Sequence, residues 1–328
     1  MVKMLCIQVL ALLCAIFVVE GVPTFSDVYH TSGILRLPYA ELNEPFEVFY
    51  NKSAAASRMD FYGGMDKTYL LATKGTYGTS FIISPMTDKS GTSAAECFLV
   101  NGTKDGPIAI QSILPDVSQF KSIGKIIVRG IITDGWQLVV TNGNKKNTYT
   151  MAVLDNKPVQ YEMMGYDSLL GSHYDKYIVD YMHYDTLPID PKIFVIQDES
   201  KCGSFPGPGI EHHLASNPLQ ELVNPDKENS IHKLFDEFKN KHDKQYHGDD
   251  EHEMRKMHFT NNVRYIHSKN RAGLTYKLAV NHLADRSQNE LKTMNGYRYS
   301  GVPHEGYPFH KLDMPLTDIP DAIDWNIK

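Results

Sequence analysis

Cysteine is scarce in this chain of 328 residues, with four in all, and two of those, Cys6 and Cys14, sit at the extreme N-terminus. If that end is removed, only Cys97 and Cys202 remain, which limits the chain to a single internal bridge. A Cys97–Cys202 disulfide and two cysteines unpaired or paired elsewhere are both open at this stage. No run of lysine and arginine stands out, and the net charge is -6, which argues against a nucleic-acid groove and against a polybasic membrane surface. Nor is there a long apolar run: the stretch from Leu5 to Val19 ends at Glu20, short of the roughly 20 residues that cross a bilayer.

That N-terminal stretch has another reading. Lys3, then the apolar run, then the small residue Gly21 follow the order of a secretory signal, so residues 1–21 are expected to be cleaved near Gly21. The sequons Asn51-Lys-Ser53 and Asn101-Gly-Thr103 fit that route and mark Asn51 and Asn101 as candidate glycosylation sites on surface loops.

Residues 22–200 read as an antiparallel β-rich domain, a curved sheet or half-barrel. Runs of β-branched and aromatic residues recur at Phe46 to Tyr50, Thr68 to Ala72, Ser80 to Ser84, Cys97 to Val100, Ile126 to Thr133, Gln137 to Thr141 and Thr148 to Leu154, with turn residues between them. One short helix is expected near Pro115-Asp116. The tyrosines at 161, 166, 174, 177, 181 and 184 either line an apolar-ligand face or pack the core with their hydroxyls at its edge, and the second reading is favoured. Asp167, Asp175, Asp180 and Asp185 beside His173 and His183 show no metal-type spacing on a helix face and read as solvated turn and strand-edge residues.

Residues 201–224 are rich in proline and glycine and read as a linker. Cys202 here lacks the electropositive setting and the base that a nucleophilic cysteine needs. His212-His213 reads as a solvated pair. No metal and no cofactor are expected anywhere in the chain.

Residues 225–295 change to helical periodicity. Asn224-Pro225 is a helix start, and Ile231, Leu234, Phe235, Phe238 and His242 recur at helical spacing, giving an amphipathic helix in need of a partner. The partner follows. Glu251, Arg255, Phe259, Asn262, Ile266 and Asn270 are separated by four, four, three, four and four residues and fall on one stripe of a second helix. Its first turn is acidic, as the positive end of a helix dipole favours. Tyr276 to Asp285 then alternates like a strand, and Ser287 to Glu290 is a capping box opening a third helix.

The six typed positions fit the ERFNIN signature of the inhibitory propeptides of papain-family, cathepsin L-like cysteine proteases, and the region resembles that family. Ala279, Asn281, Leu283 and Asp285 fall on the family's second signature, Gly-x-Asn-x-Phe-x-Asp, with alanine for glycine and leucine for phenylalanine. The resemblance implies a fold in which Phe235 and Phe238 pack against Phe259 and Ile266, while Glu251, Arg255 and the asparagines join the helices by polar contacts. It implies that residues 296–318 run extended through a protease cleft. Ile319-Pro-Asp-Ala-Ile-Asp324-Trp325 resembles the start of a mature peptidase, so residues 319–328 are expected to begin a truncated catalytic domain whose Cys, His and Asn lie downstream. The strand-rich region before the propeptide is similar to the invertebrate twenty-six/twenty-nine kilodalton proteinase subgroup.

The whole is therefore expected to be an α+β multidomain pro-region of a secreted or lysosomal papain-like cysteine endopeptidase. It inhibits the protease and assists its folding, and has no catalytic residue of its own. The expected partner is a papain-like peptidase domain, its own or another protease's in trans, with no nucleic acid and no membrane once the signal is cleaved. A stand-alone inhibitor and an apolar-ligand carrier are the competing readings. Eleven of the 14 histidines lie from His212 onward, which makes loosening of the propeptide in an acidic compartment an additional expectation.

Overall fold

The computed structural model describes residues 21–204, Leu222, 229–296 and Gly301. The expected signal peptide, most of the linker, the Asn224-Pro225 helix start, the side chain of Ile231, most of the cleft-blocking segment and the Asp324-Trp325 segment lie outside the described residues. The chain divides into two compact units, one up to Ser287 and one from Gln288.

The first unit is built on a sheet. Its strands are β1 (Val28–Leu37), β2 (Leu42–Asn51), β3 (Ala56–Phe61), β4 (Asp66–Leu71), β5 (Thr79–Thr87) and β6 (Ser93–Asn101), then β7 (Lys121–Val128), β8 (Ile131–Asn142), β9 (Lys145–Leu154), β10 (Lys157–Asp167), β11 (Ser172–Asp185) and β12 (Gly203–Ser204). The order across the sheet is β12-β6-β5-β4-β3-β2-β1-β11-β10-β9-β8-β7. Two antiparallel meanders, β1 to β6 and β7 to β11, are joined where β1 pairs with β11. Each pairing is antiparallel except the short β12–β6 contact, which is parallel. At about 4.8 Å per strand a flat sheet of this width would span over 50 Å. Side chains from β1, β2, β3, β8, β9, β10 and β11 nevertheless meet in a single cluster, so the sheet curls around one face.

Alternation carries this burial. Along β1 every second residue, Tyr29, Thr31, Gly33, Leu35 and Leu37, turns inward, the period of two that a strand requires. The concave side is filled by the chain itself. The segment expected to hold a helix near Pro115-Asp116 is instead an irregular loop that sends Ile113, Leu114, Val117 and Phe120 into the core. Leu222 joins them, and its carbonyl accepts a hydrogen bond from the Tyr177 hydroxyl at 2.6 Å. Of the six tyrosines, Tyr161, Tyr177 and Tyr181 are buried, and the Tyr181 hydroxyl donates to the Ile113 carbonyl at 2.9 Å. Tyr166 is exposed.

Three further expectations are corrected. The single strand expected over Ile126 to Thr133 is a hairpin, with Arg129 at φ 51 and Gly130 at φ 78, the positive pair that a two-residue reversal demands. Gly203-Ser204, placed in the linker, pairs with Phe98-Leu99 of β6, and the Cys97–Cys202 disulfide holds it there with Cα atoms 4.5 Å apart. Asp167, Asp175 and Asp180 are buried rather than solvated. Asp180 accepts from Arg36 at 2.6 Å and from Gln160 at 2.7 Å, and Asp167 accepts from the Leu169 amide at 2.9 Å.

Helices follow the sheet: α1 (Asn229–Lys241) and α2 (Gly248–Arg271) in the first unit and α3 (Gln288–Met294) in the second. No helix among the described residues is long and apolar enough to cross a membrane.

Candidate functional site

Helix α2 is polar nearly all round, which for an isolated helix is a poor design and for one wedged between partners is an appropriate one. Its first turn carries Asp249, Asp250 and Glu251, its last turn Lys269 and Arg271, each sign at the end of the dipole it complements. Gly273, at φ +70, ends it in the left-handed conformation that glycine tolerates, and a β-carbon there would lie 2.2 Å from the Met65 methyl.

The signature stripe faces α1 and the loop that follows α2. Phe259 is buried against Phe235 and Phe238, with ring centroids 5.4 Å and 4.7 Å away, and Leu234, Val263 and Ala284 complete this small core. Glu251 accepts from the His247 amide at 2.7 Å and from Arg255 at 3.4 Å. The His247 amide and Arg255 hold its carboxyl below the usual glutamate range. Arg255 also donates to the Asp285 carbonyl at 3.4 Å. Asn262 donates to the carbonyls of Ala284 and Arg286 at 2.8 and 3.0 Å. Asn270 donates to the Leu278 carbonyl and accepts from the Leu278 amide, both at 2.8 Å, so one side-chain amide imitates a backbone partner.

These bonds explain a departure from expectation. No strand forms among residues 276–285: the backbone groups of Leu278 and Ala284 are taken by the side chains of Asn270 and Asn262 instead of by a ladder. Within this loop Asn281 accepts from the Leu283 amide at 2.9 Å. Asp285 is buried and accepts from Lys244 and from the Tyr246 hydroxyl, each at 3.0 Å. Leu283 is half-buried and Ala279 exposed. Ile266, expected in the core with Phe259, is elsewhere: Val263 takes that place. Seven residues beyond Phe259, about 10 Å along the axis, Ile266 lines a cavity of about 240 Å³ between α2 and the sheet.

The opposite face of α2 is what the signature does not mention. Glu253, Arg264, His267, Ser268 and Arg271 lie on a second stripe roughly 150° round the helix from the first, and this one meets the sheet. Arg264 makes a two-pronged contact with Asp175 of β11 at 2.8 and 3.0 Å. Lys145 of β9 reaches Glu253 at 2.9 Å. The Tyr62 hydroxyl and Ser268 are 2.6 Å apart. Arg271 donates to the fully buried Glu44 of β2 at 2.6 Å, and beyond the helix Lys277 reaches the Pro85 carbonyl of β5.

Asp66, His267, Arg271 and Lys277 are the titratable groups that line the adjoining cavity. Burial pushes the Asp66 carboxyl up to about 6, against the pull of Arg271 and the Ser84 hydroxyl. Burial, reinforced by the Arg271 charge, pushes His267 down to about 4. Both are therefore biased toward their neutral forms.

Sequence reasoning misses this stripe: Glu253, Arg264, Ser268 and Arg271 share a helix face, but the partners Asp175, Tyr62 and Glu44 lie 89, 206 and 227 residues away from Arg264, Ser268 and Arg271 and leave no local trace. Asn51 closes a turn, accepting from Ser53 and from the Ala54 amide at 2.8 and 2.9 Å. Asn101 is exposed at the end of β6 and accepts from Thr79 at 3.2 Å.

Comparison with known proteins bears on this helical region. Residues 235–291 match the family model described as the cathepsin propeptide inhibitor domain (I29). Papaya proteinase 4 of Carica papaya is 31% identical over 100 residues, 29% of this chain and 28% of that protein. Cysteine proteinase 3 of Solanum lycopersicum is 30% identical over 121 residues, 33% of each. The chain thus spans about a third of the length of these curated relatives, and the matching part is a papain-family propeptide region. A solved structure, an uncharacterized conserved protein from Thermus thermophilus, is 11% identical over 55% of this chain and 90% of that one, with a TM-score of 0.34, too low to support an argument.

Proposed function

We propose that this chain is the pro-region of a papain-like cysteine endopeptidase carried through the secretory route, in which the helical region inhibits the enzyme and assists its folding. The β domain holds that helical region in its working shape. The observation that carries this is the double use of α2. Its signature stripe fixes the loop 278–286 through Asn262 and Asn270, and its other stripe is clamped to the sheet by Arg264 and Arg271. A propeptide inhibits only while its loop geometry is maintained, and a helix anchored on both sides maintains it.

Chemistry within the chain fits a non-catalytic role. Cys97 and Cys202 are bonded to each other, so neither offers the thiolate that peptide hydrolysis by this family's route requires. The peptidase is supplied by another domain or another chain.

The test is inhibition in trans. Purified chain is added to a cathepsin L-like enzyme at neutral pH, and hydrolysis of a peptide substrate is followed. Inhibition that weakens when Asn262 and Asn270 are both replaced by alanine is expected. Unchanged turnover at saturating chain would exclude the inhibitory role.

A further inference from the structure

At the other end of β11 from Asp175, ten residues or about 33 Å along the strand, lies a second cluster of side chains. His30 on β1 is the cross-strand partner of Asp185 on β11. His183 precedes Asp185 by two, so strand alternation sets both on one side, while Tyr184 between them packs against the core. His30 Nδ1 lies 3.2 Å and His183 Nε2 2.7 Å from the same oxygen, Asp185 Oδ2, and the three ligand-type atoms are all within 4.8 Å of one another.

We propose that His30 Nδ1, His183 Nε2 and Asp185 Oδ2 form a binding site for a zinc-type divalent metal ion, with a further coordination position open to solvent. Two imidazoles and one carboxylate suit such an ion and not calcium or magnesium, which take six or more oxygens. Three protein ligands with one open position is the arrangement of exchangeable zinc sites.

The surroundings prepare the ligands. Glu47 on β2 stands 2.9 Å from His30 Nε2. A carboxylate there accepts a hydrogen bond from Nε2–H and so favours the tautomer with its lone pair on Nδ1, the atom turned toward Asp185. Phe49 stacks on the His30 ring with centroids 4.5 Å apart and planes within 8°, fixing its orientation. The second oxygen of Asp185 is occupied by the Leu187 amide at 3.0 Å, so Oδ2 is the one left to bind. Bonds of about 2.0–2.1 Å in tetrahedral geometry place ligand atoms about 3.4 Å apart. The His30 to Asp185 separation is already close to that. His183 must withdraw by about 0.7 Å to reach that spacing, and its side chain, 54% exposed, has room to do so. The sequence hides this site because its spacing is that of strands: His183 and Asp185 are two apart, and His30 lies more than 150 residues away.

An ion there would pin the first strand of one meander to the last strand of the other. The site does not depend on the propeptide reading, since its residues lie on β1, β2 and β11, outside the 235–291 stretch that carries that reading.

The test is calorimetric titration of the metal-stripped full chain with Zn²⁺, beside the His30→Ala/His183→Ala double variant and Glu47→Gln. The wild type is expected to take up one equivalent more than the double variant, and Zn²⁺ to raise the melting temperature of the wild type alone. Glu47→Gln, which keeps all three ligands, is expected to weaken that equivalent by about 10- to 100-fold. Melting of the double variant in chelator, like the wild type in chelator, verifies that it folds. Equal uptake by wild type and folded double variant overturns the proposal. Should the double variant fail to fold, Glu47→Gln decides, and affinity equal to wild type overturns it.

Discussion

The β domain and the helical region are held together by different means. Among the described residues the sheet encloses a main core of 24 buried side chains, Tyr29, Phe61, Tyr149 and Tyr161 among the largest. The helices enclose six, centred on Phe235 and Phe259. A core of that size rarely sustains a fold alone, and the helical region compensates with polar bonds to its own loop on one side and to the sheet on the other. The lesson is that the familiar signature accounts for half of what keeps α2 in place. The other half belongs to a domain that propeptide motifs do not describe.

The comparison can be broken most directly at Glu44. Its carboxylate is fully buried against Arg271, so Glu44→Ala leaves an uncompensated buried charge, a loss of about 3–5 kcal/mol. Chemical denaturation is expected to show the helical signal melting ahead of the sheet signal in this variant. Coincident transitions at the wild-type midpoint would mean the clamp contributes nothing.

The pH response sharpens the contrast next. Asp66, raised to about 6, takes up its proton in the folded state before the unfolded chain does, so its contribution grows as pH falls from 6 toward 4. His267, lowered to about 4, stays neutral in the folded state while the unfolded chain protonates from about 6.5 downward, so its contribution is lost over the same window. The two slopes oppose each other beside Arg271, Lys277 and Glu44. Relative to wild type, Asp66→Asn is expected to lose stability on acidification from pH 7 to about 4.5, and His267→Gln to gain it. Each is worth up to about 3 kcal/mol, read as the difference in melting temperature between the two pH values.

A smaller effect is expected at the signature face. Asn270→Ala removes both hydrogen bonds to Leu278, at about 1 kcal/mol each. Hydrogen exchange of the Leu278 amide should accelerate while the β2 amides remain protected.

Much of the architecture was readable. The β-branched and aromatic runs within β5 and β9, Ser80 to Ser84 and Thr148 to Leu154, announce themselves, as does the stripe from Glu251 to Asn270. Strands β1, β3, β10 and β11 leave a fainter mark, because their inward residues include tyrosine, threonine and aspartate while Ile34, Met164, Tyr166 and Met182 point outward, which blurs the apolar alternation that marks a strand. Asp175 reads as solvated for a different reason: nothing near it in sequence discloses an arginine 89 residues on. The loop at 276–285 has strand-like alternation, but alternation produces a strand only where a partner exists, and here Asn262 and Asn270 satisfy the backbone instead.

Leu222 gives the connection between the domains an unexpected property. The chain is fastened before it, where Cys202 is bonded to Cys97, and fastened again at Leu222, whose side chain fills the sheet core. Cleavage anywhere in residues 205–221 would therefore sever the covalent link without parting the pieces. The helical fragment would stay seated on the β domain, and the two would travel through size-exclusion chromatography as one nicked body until denatured.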